Sequence, residues 1–215
     1  MPPNLAAMLQ LMLVTDDALL AGRDVAEVAG AAVRGGATCV QLRLKRASPH
    51  ELYQLTRRLI TELAVPVLVN DRLDVALAAG AVGVHLGPDD VPVELARRIA
   101  PPGFVIGASV GTEAEVTRGQ GASYWGVGPW RVTSTKADAG SPIGAEGFGA
   151  VAARAGRTPC VAIGGIRPED IAPVLARGGA GVAVISGILG SPDPETATRP
   201  YAESYLRFKS TIRGK

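Results

Sequence analysis

The chain has 215 residues, 47% of them hydrophobic, with 22 Lys and Arg against 20 Asp and Glu and a formal net charge of +2. That length supports one sizeable core and lies near the lower limit for a single α/β barrel, and the apolar content excludes a disordered chain. The charge is too small and too interspersed to mark a nucleic-acid or membrane-surface partner. Residues 1–10 lack the basic start of a signal peptide, and no apolar run reaches the roughly 18 residues of a membrane span. Cys39 and Cys160 sit in apolar surroundings without metal-ligand spacing. They read as buried thiols of a reducing, cytoplasmic setting.

In chain order, a short N-terminal extension (1–10) leads to a first strand, LMLVT (11–15). It ends on Thr15-Asp16-Asp17, which is not the glycine-rich turn of an open dinucleotide-binding sheet. Residues 24–34 place apolar side chains at helical spacing. CVQLRL (39–44) is the second strand. A helix over 48–63 opens with the capping sequence SPHE. VPVLVN (65–70), a helix over 72–79, GVHLG (83–87), a helix over 92–99 and FVIGASV (104–110) follow. A short helix is expected over 112–118, then YWGVGPW (124–130). RVTSTKADAGSPIGAEG (131–147) is long, polar and glycine-rich, and a loop of that length in a compact fold is usually functional or disordered. PCVAIGGI (159–166), a helix starting on Pro168, GVAVISGI (181–188) and a last helix over about 193–211 complete the chain. The strands are short and rich in Val and Ile, as in parallel sheets buried on both faces. Eight strand–helix units predict an α/β fold: a single-domain (β/α)8 TIM barrel over 1–215.

Active sites of such barrels lie at the C-terminal strand ends. Gln41, Arg43 and Lys45 alternate with apolar neighbours, so period two points all three inward. Facing them, Asn70-Asp71 and Asp89-Asp90 end strands three and four. One reading is a structural ion-pair network, which seldom adds stability. The other is an anion site with a hard cation: two carboxylates suit Mg²⁺, which prefers few carboxylates plus water and phosphate oxygens. Gly164-Gly165 and Ser186-Gly187 match the barrel phosphate site after strands seven and eight, or else are packing turns. Thr133 and Thr135 offer further donors. His85 points into the barrel to orient Asp90 or Lys45, or is a structural histidine, and both readings stay open. A Ser109–His85–Asp71 triad lacks the surrounding nucleophile elbow.

The segments QLRLK (41–45), NDRLDVALAAGAVGVHLGPDD (70–90), SVGT (109–112), GVGPWRVTSTK (126–136), IGGI (163–166) and GVAVISGI (181–188) resemble the thiamine-phosphate synthase family, collinearly and over nearly the whole chain. The resemblance implies a transferase of thiamine biosynthesis. It would join 4-amino-2-methyl-5-hydroxymethylpyrimidine diphosphate to thiazole phosphate through a pyrimidine carbocation, giving thiamine phosphate and pyrophosphate. Carried over, Gln41, Arg43, Lys45, Asn70 and Lys136 would hold the pyrimidine diphosphate, with Ser109 beside the ring. Asp71 and Asp90 would hold Mg²⁺, and Thr133, Thr135, Gly165, Ile185 and Ser186 the thiazole phosphate. Arg43, Lys45, Lys136 and Ser109 would be the catalytic set. The partners implied are these small molecules, with no nucleic acid or membrane, and the oligomeric state stays open. Leu44, Pro88 and Val132 depart from common family residues, and Gly111 stands where Ser-x-His is usual. The alternatives are a related thiazole tautomerase, which depends on that histidine, a non-catalytic binder of thiamine precursors, and another phosphate-binding barrel enzyme.

Overall fold

A computed structural model of the chain describes residues 4–112, 115–133 and 140–213. Eight parallel strands close into a barrel in chain order. They are β1 Leu11–Val14, β2 Cys39–Leu42, β3 Val67–Asn70, β4 Gly83–Leu86, β5 Val105–Ser109, β6 Tyr124–Val127, β7 Cys160–Ile163 and β8 Gly181–Val184, with β8 pairing back onto β1. The fold is therefore the expected (β/α)8 barrel.

Period-two alternation gives the barrel two cores. Leu13, Val40, Val69, Val84, Ile106 and Val127 face outward under the helices. Met12, Val14, Cys39, Leu68, Val105, Tyr124, Val161 and Ala183 fill the interior. Bulky interior residues are accommodated by glycines on neighbouring strands. A Cβ on Gly107 would stand 2.3 Å from the Tyr124 ring, and one on Gly83 would stand 2.8 Å from Leu68. Within the strands, burial relaxes at Asn70, His85, Ser109, Gly126 and Ile163, so the polar interior begins where the barrel opens.

The barrel floor is α1, Leu5–Met8, whose amide at Ala7 is capped by the Asn4 side chain. Met8 and Leu9 are 2% and 0% exposed and pack with the interior residues, so the expected extension is in part core. Around the wall, α3 (Val25–Arg34) is capped by Asp24 and α4 (Pro49–Glu62) by the Ser48–Glu51 capping box that SPHE predicted. α5 is Leu73–Ala79, α6 Val93–Ile99, α8 Ile171–Ala176 and α10 Pro194–Arg213. Two short apolar runs conceal helices. α2 (Asp17–Leu20) starts on the Asp16 cap, and α9 (Ser186–Leu189) lies inside the expected eighth strand. The strand stops at Val184 because the backbone turns at Ile185, whose carbonyl accepts from Leu189 N–H at 2.9 Å.

Two further expectations are corrected. The polar loop ends early, because α7 begins at Gly144 and runs to Arg154, burying Phe148 and Val151. Glycines 144, 147 and 149 had masked its helical pattern. No α-helix occupies the described part of 112–118. There the Glu115 carboxylate folds back to accept from the Gly111 and Thr112 amides, closing a turn instead. No helix among the described residues is long and apolar enough to cross a membrane.

Candidate active site

At the open end, β2 and β3 place Gln41 beside Asn70, and the Gln41 amide donates to Asn70 Oδ1 at 2.8 Å. Gln41 is buried, so this bond offsets the cost of burying its amide and fixes how both carboxamides face the cavity. Arg43 leaves the strand and donates to Asp16 Oδ2 at 2.9 Å. Asp16 also accepts from Ala18 N–H and Leu19 N–H, so the cap of α2 and the guanidinium are held by one carboxylate. Arg43 is thus not aimed at Asp71 or Asp90, as its spacing suggested. Lys45 is: its ammonium, more than half exposed, bonds the Asp71 carboxylate, and its backbone N–H is tied to Asp17 at 2.7 Å.

Asp71 adopts a left-handed backbone, φ 63°, which Asp tolerates better than most residues. Its N–H donates to the His85 carbonyl at 2.8 Å. That turn aims its carboxyl at Asp90, which is itself fixed by accepting from Gly87 N–H at 2.6 Å. The two carboxyl groups face each other closely enough that each shifts the other's ionisation. Burial, and then the facing Asp71, push Asp90 up to about 6. Burial also opposes ionisation of Asp71, but the Lys45 ammonium and the facing, protonated Asp90 carboxyl outweigh it and hold Asp71 below the usual carboxylate range. Two half-buried carboxylates facing each other, with one ammonium paired to Asp71, carry uncompensated negative charge once both ionise. The donor set fits a hard divalent cation, with the other ligand positions left to water or phosphate.

Deeper in the barrel, His85 on β4 bridges two strands. Its Nδ1 lies 2.9 Å from the Tyr124 hydroxyl and its Nε2 3.1 Å from Ser109 Oγ. Ser109 and His85 are therefore neighbours. The second ring nitrogen meets a phenol and not a carboxylate, however, so the arrangement is not a hydrolase triad. Gly126 leaves room for this ring, since a Cβ there would stand 2.9 Å from His85 Cε1. Gly111 is explained similarly: a Cβ there would approach the Gly128 carbonyl oxygen to 2.6 Å, so this turn has no place for the family histidine. Beside Ser109, a cleft of about 510 Å³ runs past Leu86, Asp90, Val91, Arg118 and Gln120, which is large enough for a small heteroaromatic substrate.

The opposite side of the mouth holds a cavity of about 20 Å³ lined by Thr133, Gly164, Gly165, Ile185, Ser186 and Gly187, among others. Gly165 needs to be glycine. Its φ is 66°, and a Cβ would lie 2.9 Å from Arg131 Cβ and 3.2 Å from the Val132 carbonyl. The chain leading to Thr133 is fastened over these glycines: Trp130 N–H donates to Ile163 O at 2.8 Å and Arg131 N–H to Gly164 O at 2.9 Å. The Arg131 guanidinium is paired with buried Asp170. As it stands the cavity has room for about one water molecule, and its glycine and hydroxyl lining beside the start of α9 is of a kind that suits an anion. Thr135 and Lys136 lie outside the described residues.

The expected site residues that are described thus gather at one barrel end, in two groups. Sequence reasoning missed Asp16, Tyr124 and the Arg131–Asp170 pair. Asp16 was signalled by an acid directly after the first strand. Tyr124 gave no signal, since an aromatic in an apolar run reads as core.

Comparison with known proteins gives concordant results. A family model described as thiamine monophosphate synthase matches residues 11–188. A thiamine-phosphate synthase of Methanospirillum hungatei is 44% identical over 198 residues, covering 90% of this chain and 96% of that one. One from Xanthobacter autotrophicus is 47% identical over 203 residues, covering 92% and 96%. A solved thiamine phosphate pyrophosphorylase from Pyrococcus furiosus superposes with a TM-score of 0.84 at 37% identity, covering 95% of this chain and 99% of that one.

Proposed function

The chain belongs to the thiamine monophosphate synthase family, and we propose on that premise that its barrel mouth joins the aminopyrimidine diphosphate to thiazole phosphate. The observation carrying this reading is the pairing, at one end of one barrel, of a carboxylate cluster suited to a cation with a cavity suited to an anion. The Lys45–Asp71–Asp90 cluster lies on one side and the Gly165–Ser186 cavity on the other.

In this reading Gln41 and Asn70, locked to each other, orient the pyrimidine, and Ser109 contacts it from β5. Arg43, Lys45 and Lys136 hold the diphosphate. Thr133, Thr135, Gly165, Ile185 and Ser186 hold the thiazole phosphate. Asp71 and Asp90 would hold Mg²⁺, which when bound supplies positive charge to the diphosphate oxygens. The methylene C–O bond breaks, its electron pair leaves with pyrophosphate, and the thiazole nitrogen lone pair forms the new C–N bond. Negative charge grows on the departing oxygen, and preorganised cations stabilise that growth most where water is scarce. Lys45 is exposed and already paired with Asp71, so it can exchange its carboxylate partner for a phosphate at small cost. Arg43 is held firmly by Asp16, and its role is to present a fixed guanidinium face. No protein nucleophile is needed. The burial of Cys39 and Cys160, which pushes both thiols up, is in keeping with a reducing cytoplasmic setting.

The test is direct. Both precursors are incubated with Mg²⁺, and thiamine phosphate and pyrophosphate are counted. Equimolar formation of the two, requiring both precursors, is expected. Absence of thiamine phosphate under all Mg²⁺ concentrations would overturn the reading in favour of a binder or a tautomerase.

A further inference from the structure

The Tyr124–His85–Ser109 chain crosses the barrel interior, and only its last member is placed at substrate by the reading above. Tyr124 is 1% exposed, and burial pushes its phenol far above the usual range, so it stays neutral and carries a proton. A buried hydroxyl proton needs an acceptor. The hydrogen-bond partner of that hydroxyl among the described residues is His85 Nδ1, at 2.9 Å. The phenol therefore donates to Nδ1, the imidazole proton sits on Nε2, and Nε2–H donates to Ser109 Oγ at 3.1 Å. The reverse polarity would leave the phenol proton facing apolar surroundings. Two glycines make the arrangement possible: side chains on Gly107 and Gly126 would collide with the Tyr124 and His85 rings.

We propose that Tyr124 and His85 are positioning residues that fix the hydrogen-bond polarity of Ser109, leaving its hydroxyl as a donor toward an acceptor atom of the bound pyrimidine diphosphate. The contact with that substrate rests on the proposed function. The tautomer does not, so the two can fail separately.

The first measurement is the ¹⁵N chemical-shift pattern of the imidazoles in the ligand-free protein. The chain has two histidines. The other, His50, is exposed and bonded to Gln54, and a His50→Gln variant identifies its signals. A neutral Nε2–H tautomer for His85 is expected. A neutral Nδ1–H tautomer, or a ring protonated on both nitrogens at neutral pH, overturns the proposal. The second measurement compares Tyr124→Phe, Ser109→Ala and the double variant in kcat/KM for the pyrimidine diphosphate. Tyr124→Phe removes the donor without changing ring volume, and an effect of about tenfold, the scale of one hydrogen bond, is expected. Because both changes act through one hydroxyl, the double variant should lose no more than Ser109→Ala alone. Losses that multiply, a Tyr124→Phe enzyme with wild-type kinetics, or equal changes in KM for both substrates would each overturn it.

Discussion

At the residue scale, the most informative pair is Asp71 and Asp90. Asp90 is raised from 3.8 to about 6 by burial and by Asp71. A carboxyl with a raised folded-state pKa stabilises the fold below its unfolded value, and that contribution is lost as pH rises through the folded value. In the metal-free protein, stability should therefore decline from pH 4 toward pH 7 at this site, and Asp90→Asn should remove the decline. A thermal melt series across that range checks this, and a wild-type slope in the variant would contradict it. If Asp90 holds Mg²⁺ as proposed, the cation must displace the proton, and the Mg²⁺ concentration needed for half-maximal activity should rise as pH falls below about 6. Gly165 makes a separate case. Its Cβ direction is filled by Arg131 and Val132, so Gly165→Leu should displace the cover of the cavity between Gly165 and Ser186. The KM for thiazole phosphate is expected to rise at least tenfold, roughly the loss of one good hydrogen bond or more, with the pyrimidine substrate nearly unaffected. Equal losses for both substrates would point to general damage to the barrel.

At the element scale, strands were legible and short helices were not. Val- and Ile-rich runs betray buried parallel strands, and SPHE betrays a capped helix. One-turn helices such as Asp17–Leu20 and Ser186–Leu189 bury too few side chains to show a period. α7 hid behind three glycines whose helicity depends on tertiary packing of Phe148 and Val151. The gathering of the candidate residues at the mouth was legible where spacing or resemblance put them at strand ends, as at Asp71, Asp90 and Gly165. The site was illegible where a partner came from another strand, as with Arg43 after β2 and Asp16 after neighbouring β1, or His85 on β4 and Tyr124 on β6, because sequence spacing carries no inter-strand register. The segment carrying Lys136 enters at this scale too. If its ammonium meets the departing pyrophosphate, Lys136→Ala should lower kcat more than it weakens binding, since charge develops in the transition state. A loss on the order of 10²–10³-fold is expected in single-turnover rate, by analogy with one oxyanion donor. An unchanged chemical step would remove Lys136 from the leaving-group role.

At the scale of the whole molecule, the two barrel ends divide stability from chemistry. The floor is apolar and closed by Met8 and Leu9. The mouth is where polar interior groups, the left-handed Asp71 and the Gly164-Gly165 turn lie. Leu9→Ala should cost about 2–5 kcal/mol of stability, as for other buried leucines, and leave kcat intact below the melting transition. A kcat that falls with it would mean the ends are coupled. The central claim concerns the mouth: the opposed carboxylates seat the Mg²⁺ that supports the condensation. It is tested most directly by counting thiamine phosphate and pyrophosphate while Mg²⁺ is titrated into the wild type and into Asp90→Asn. The wild type should form both products in equal amounts and stop on chelation. The variant should need Mg²⁺ raised by at least the roughly 10–100-fold that loss of a supporting metal-site residue costs. An Asp90→Asn chain that makes both products at the wild-type rate in low Mg²⁺ would contradict the claim.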